Sequence, residues 1–164
     1  MTEETNGGQP AALGFDITGK RVVVVGGKTG AGLGIAQAAH AAGAAVVVVA
    51  SRRSFSEADH PELADFEQIA LDVEDEDAVR VAFKAIGALD HLVVAAGPAM
   101  GTWGAFSDTD MRGVRQKVRE KFPVRRVGTP AAVGHAAVFL MTNPYVTGTV
   151  IEVSGGELLV GWVF

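Results

Sequence analysis

Two unbroken valine runs, residues 22–25 and 46–49, are the clearest pattern along the chain. A strand that alternates apolar and polar residues keeps one face wet, whereas a continuous β-branched run is covered on both faces, as in a parallel sheet layered with helices. Between the two runs, residues 30–42 are alanine-rich, with Leu33, Ile35 and Ala39 at helical spacing and Gly43 where a helix stop belongs. The same reading predicts strands over 21–26, 45–50, 68–71 and 91–95, and a closing strand over 146–153. Further helices are predicted over 75–86, where acids lead and Lys84 and Gly87 follow, over 108–122, and from Pro130 to Met141. The helix over 108–122 is amphipathic, with Met111, Val114, Val118 and Phe122 on one face. Residues 51–61 are polar and lead through one helical turn to the third strand. Strand and helix alternate throughout, the pattern of a single doubly wound α/β domain of three layers with a parallel sheet. Residues 1–18 are polar and glycine-rich, and are expected to form a flexible arm that settles near Phe15 or Ile17 ahead of a domain over 19–164.

The chain has 164 residues, enough for one compact core. Nineteen acidic against fourteen basic residues give a net charge of −5, which argues against general affinity for nucleic acid. The absence of cysteine excludes a disulfide framework, a thiolate metal site and a cysteine nucleophile. The longest apolar stretch, residues 41–50, is too short to span a bilayer, and the acidic start is unlike a secretory signal, so a cytoplasmic protein is expected.

The first strand ends in Gly26-Gly27-Lys28-Thr29-Gly30-Ala31-Gly32. Such a turn lets backbone approach a phosphate, and the following helix offers free N–H groups and partial positive charge. Gly27-Lys28-Thr29 ends like a P-loop, but that motif's leading glycine would fall at Val22, inside the strand. A strict Gly-x-Gly-x-x-Gly fails too, with Ile35 at its last position. The spacing that fits is Gly-x-x-x-Gly-x-Gly over Gly26, Gly30 and Gly32.

With that spacing the sequence resembles the short-chain dehydrogenase/reductase family. Leu71-Asp72-Val73 resembles its adenine-contacting Asp-Val, and Leu92-Val93-Val94-Ala95-Ala96-Gly97 is similar to its Asn-Asn-Ala-Gly strand end, with both asparagines replaced. Arg126-Val127-Gly128-Thr129-Pro130, Tyr145-Val146-Thr147-Gly148 and Ser154-Gly155-Gly156 are similar to its C-terminal segment, in the same order. The resemblance implies a Rossmann-like fold and a nicotinamide dinucleotide held by Gly26, Lys28, Thr29, Gly30, Ala31 and Gly32, by Ser51, Arg52 and Arg53, by Asp72 and Val73, and by Ala95, Ala96 and Gly97. It also implies a small carbonyl or alcohol as substrate. Past the second strand such folds read the adenosine ribose, where an acid favours a free hydroxyl and arginine a 2′-phosphate. Here stand Ser51-Arg52-Arg53 and no acid, so NADP(H) is expected over NAD(H).

In that family the hydride transfer uses a Tyr-x-x-x-Lys pair with an upstream serine. The single tyrosine here, Tyr145, has Thr149 four positions on, so no catalytic residue is assigned. At the joint 122–123 the chain passes directly from one helix to the approach of the last. The family's fifth strand, tyrosine-bearing helix and sixth strand have no counterpart, though such a unit takes about 30 residues. The closing strand must then pair with the fourth or pair outside the chain, and an open sheet edge favours homo-oligomers.

Other groups do not replace that chemistry. His40, His60, His91 and His135 lie on separate elements. Five acids between Asp72 and Asp77 read as a helix start, not a metal site. Ser107 and Ser154 lack an activating histidine, and Lys121 is at most a polar site residue. The basic run Arg112, Arg115, Lys117, Arg119, Lys121, Arg125 and Arg126 reads as a wet helix face without aromatic interleaving. Two functions from different classes remain: a shortened, inactive NADP(H)-type oxidoreductase, or a dinucleotide-binding scaffold without chemistry of its own.

Overall fold

The computed structural model describes residues 16–53, 60–97 and 111–160. Its strands are β1 (Arg21–Val25), β2 (Val46–Ser51), β3 (Glu67–Ala70) and β4 (His91–Val94). Its helices are α1 (Gly30–Ala41), α2 (Glu76–Ile86), α3 (Met111–Lys121) and α4 (Pro130–Thr142), with short 3-10 turns at Pro61–Leu63 and Glu157–Leu159. All strand pairs are parallel and the order is β3-β2-β1-β4, one half of a doubly wound sheet.

The valine runs are continuous because successive residues enter different cores. Val22, Val24, Val47 and Val49 face α1, where they pack with Ile35, Ala36 and Ala39 and with Leu63 and Phe66. Val23, Val25, Val48 and Ala50 face α2 and meet Leu71, Ala82 and Ile86. Full burial of each such side chain contributes about 1.5–3 kcal/mol. The α1 face also takes Val133, Ala137 and Met141 of α4. Glycine sets how closely these two helices meet. A Cβ at Gly34 would fall on the carbonyl of Pro130, and one at Gly134 on the carbonyl of Gly34.

Four of the five acids of the 72–77 run have local partners. Asp75 caps α2 by accepting from the Ala78 N–H at 3.0 Å, and Asp72 accepts from the Glu74 N–H. Glu76 and Asp77 both pair with Arg80, at 2.8 and 2.9 Å. Gly87, at φ +73°, ends the helix. Val118 of α3 and Phe122 just past its end are buried together while Arg112, Arg115, Lys117, Arg119 and Lys121 are exposed, the wet face expected of this helix. Its expected first turn, 108–110, lies outside the described residues.

The closing strand is a correction. Residues 146–153 form no strand, and Val146 donates instead to the Asn143 carbonyl at the end of α4. The crossing with α1 fixes where α4 ends. From there the returning chain lies across a cavity from β4, and Ile151 and Val153 line that cavity without joining the ladder. Among the described residues β4 consequently stays the terminal strand. Val93 packs inward, but Leu92 and Val94 are 48% and 65% exposed.

The N-terminal arm lies outside the described residues up to residue 15. Ile17, one of the two positions where the arm is expected to settle, is buried against α1 and donates to the Ala42 carbonyl at 3.0 Å. No helix among the described residues is long and apolar enough to cross a membrane.

Candidate functional site

The parallel register brings the strand C-termini level. Val25 lies beside Ala50 on one side and Val94 on the other, and Ser51 lies beside Ala70. The segments that follow β1, β2, β3 and β4 therefore share one edge of the sheet. These segments, with Ser51 at the end of β2 and Gly30 to Gly32 at the start of α1, contain every site residue expected from the sequence.

The turn after β1 is held at both flanks. Gly26 donates to the Ala50 carbonyl at 2.8 Å, and Ala95 donates to the Val25 carbonyl at 2.8 Å. Gly26 adopts φ +82°, and a Cβ there would stand 2.6 Å from the Ala96 nitrogen. No side chain fits between the turn and the end of β4. Gly32 is equally confined, since its Cβ would strike the Gly26 carbonyl. Gly30 differs: it has φ +57° but open space around it. The turn thus folds back tightly on the sheet and presents an unobstructed surface at the start of α1. Thr29 occupies the N-cap without a side-chain cap bond, leaving the helix's first N–H groups uncapped by it. Ala31, in the first turn, is exposed.

After β2, the Ser51 hydroxyl donates to the Arg53 carbonyl at 2.9 Å, curling the chain so that Arg52 and Arg53 both reach solvent. Asp72 is half-buried in its turn and Val73 is exposed beside it. Ala95, Ala96 and Gly97 are exposed where β4 ends. Residues 98–110, which include Ser107, lie outside the described residues.

One local arrangement was not legible beforehand. His60 Nδ1 lies 3.0 Å from Glu62 Oε1 at the 3-10 turn, and this hydrogen bond holds the Glu62 carboxyl below the usual carboxylate range, with the Lys28 charge adding to the effect. Lys28 of the glycine turn and Glu62 are 34 positions apart, and no motif links them; only the fold brings them near.

Tyr145 is 96% exposed after α4, with its backbone N–H on the Asn143 side-chain oxygen. His40 meets Phe66 edge-on at 5.8 Å, while His135 is exposed on α4. Among the described residues no three His, Asp or Glu side chains gather to hold a metal.

Known proteins resemble this chain in sequence and in fold. A human 3-oxoacyl-[acyl-carrier-protein] reductase is 39% identical over 57 residues, which cover 34% of this chain and 24% of that protein. Its counterpart from Aquifex aeolicus (strain VF5) is 40% identical over 58 residues, covering 31% and 23%. The chain thus spans about a quarter of the curated relatives it matches. Among solved structures, an enoyl-(acyl-carrier-protein) reductase from Anaplasma phagocytophilum in complex with NAD superposes with a TM-score of 0.65 at 17% identity, covering 90% of this chain and 95% of that one. The Pseudomonas aeruginosa RhlG/NADP complex gives 0.65 at 19%, covering 87% and 97%. A candidate short-chain alcohol dehydrogenase from Sinorhizobium meliloti 1021 gives 0.67 at 20%, covering 89% and 99%. At these identities the likeness is one of fold.

The family model described as short chain dehydrogenase matches residues 20–155, from the first residues before β1 to the glycine pair after the 149–153 run. Because that match covers most of the chain and runs through every segment of the site edge, the chain belongs to the short-chain dehydrogenase family.

Proposed function

We propose that this chain binds a nicotinamide dinucleotide at the C-terminal edge of its sheet, NADP(H) in preference to NAD(H), and does not turn over a substrate by itself. The observation that carries the reading is the turn at Gly26 and Gly32, where two missing side chains let backbone fold against backbone and open the start of α1 at Gly30. A pyrophosphate suits that position, because uncapped N–H groups and the helix dipole favour an anion. Exposed Arg52 and Arg53 follow β2 with no acid beside them, which suits a 2′-phosphate on the adenosine ribose. Asp72 and Val73 would border the adenine, and Ala95 to Gly97 the path toward the nicotinamide.

When bound, the cofactor supplies or accepts a hydride. This chain holds the adenosine half but has no lysine four positions after Tyr145, whose side chain is almost wholly in solvent. The named relatives are 3-oxoacyl reductases, which makes a small carbonyl the substrate class to test. A cytoplasmic setting suits its acidic, cysteine-free composition.

The test is titration with NADPH and NADH, followed by cofactor fluorescence and melting temperature together. NADPH should bind more tightly. The double variant Arg52→Ala, Arg53→Ala should weaken NADPH alone, by about tenfold to a hundredfold for the loss of charge-assisted hydrogen bonds. Equal loss for both cofactors, or no binding by a cooperatively melting protein, refutes the assignment. NADPH oxidation with a panel of small ketones should stay at background; a rate abolished by Tyr145→Phe would overturn the inactive reading.

A further inference from the structure

The edge of the sheet beyond β4 is unfinished. β1 pairs one side of β4, and among the described residues no strand pairs the other. Beside it lies a cavity of about 570 Å³ lined by Leu92 and Val94 of β4, Ala137 and Leu140 of α4, and Ile151 and Val153 of the returning chain. The 149–153 run reads Thr-Val-Ile-Glu-Val, a strand-forming composition, yet it makes no ladder bonds and Val150 is 90% exposed. One chain therefore carries both an open strand edge and an unpaired strand-like run, and its own run does not satisfy its own edge.

We propose that a second copy of this chain fills the cavity, the 149–153 run of each copy adding as a strand to β4 of the other. A two-fold axis satisfies both features at once, because each copy offers the edge that its partner's run requires. The pairing is β-augmentation: main-chain hydrogen bonds supply the attachment and alternate side chains fill the apolar cavity. Area supports a second copy over a short foreign peptide. Leu158, Leu159 and Val160 follow the run directly and are also exposed. With Val150, Ile151, Val153, Leu92 and Val94 they expose apolar surface on the order of the 800 Å² per partner of a standard stable interface. Gly148, at φ +62° just before the run, gives the chain a turning point after α4. The pairing uses the lateral edge of β4, whereas the proposed cofactor site lies where the strands end.

The test is multi-angle light scattering of the full chain over a concentration series, with hydrogen exchange on the same samples. A dimer that dissociates on dilution is expected, with amides of 149–153 and β4 protected in the dimer and exchanging in the monomer. Val150→Pro and Ile151→Pro are made separately. Neighbouring N–H groups point to opposite sides of a strand, so one of the two variants removes a donor that faces β4. At least one should weaken dimerisation about tenfold or more, with melting temperature of the monomer and far-UV circular dichroism unchanged, because the run has no ladder bonds to lose. A monomer at every concentration refutes the proposal and leaves the cavity to a foreign strand. Open-ended assemblies refute the reciprocal exchange. So does a dimer whose 149–153 amides exchange freely, or one indifferent to both prolines.

Discussion

Replacing Gly34 by alanine tests how the two helices on the α1 face are held. A helical alanine is normally worth up to about 1 kcal/mol over glycine, so on propensity alone the variant should be more stable. The structure reverses that sign. The new Cβ would land on the main-chain carbonyl of Pro130, with the proline Cβ only 2.6 Å away. These are backbone and ring atoms, which have no rotamer to turn aside, so α4 must move off α1. Overpacking of this kind costs about 1–3 kcal/mol, and the rigid neighbours place this case at the upper end. After the propensity gain the net loss is about 2 kcal/mol, or a melting temperature lower by roughly 4–8 °C for a domain of this size. Gly128→Ala is the matched control, since Gly128 has no neighbour within 4 Å of a Cβ and no left-handed φ. It should be neutral or stabilising by about 0.4–1 kcal/mol through the unfolded state. Thermal melts followed by far-UV circular dichroism measure both. If Gly34→Ala melts at or above the wild type, the close crossing is not what fixes α4.

Gly26→Ala should abolish NADPH binding in the fluorescence titration, because the left-handed turn and the contact with Ala96 both exclude a side chain; retained affinity would detach the turn from the cofactor. Asp75→Ala removes the α2 cap and should cost about 1 kcal/mol, seen as a melting temperature lower by roughly 2–4 °C. Asp90 accepts from the Arg21 N–H at 2.8 Å and from the Lys20 ammonium at 3.0 Å, and these hold its carboxyl below the ordinary range. A carboxyl lowered in the folded state stabilises above its unfolded pKa and loses that contribution as pH falls through the folded value. The melting temperature of wild type should therefore fall toward that of Asp90→Asn as pH drops below about 4. A gap between the two that does not change with pH would remove Asp90 from the acid response.

Much of this protein is local chemistry and so is written in the sequence. The valine runs required a sheet covered on both faces, and β1 and β2 are covered so. Asp75 and Gly87 bracket α2 through a cap and a positive φ that neighbouring residues alone dictate. Gly26, Gly30 and Gly32 announced the turn, because only glycine tolerates the φ values or contacts found there. Tertiary structure decided what depends on a neighbour distant in the chain. The β-branched composition of 149–153 predicts a strand, but a strand needs a partner at ladder distance, and the exit of α4 denies it one. Leu92 and Val94 are half in solvent, because among the described residues no strand pairs the outer edge of β4. The approach of Lys28 to Glu62, and of Gly34 to Pro130, likewise depends on how helices and loops close over the sheet. Spacing along the chain fixes each segment's conformation, and packing between segments fixes which surfaces remain open.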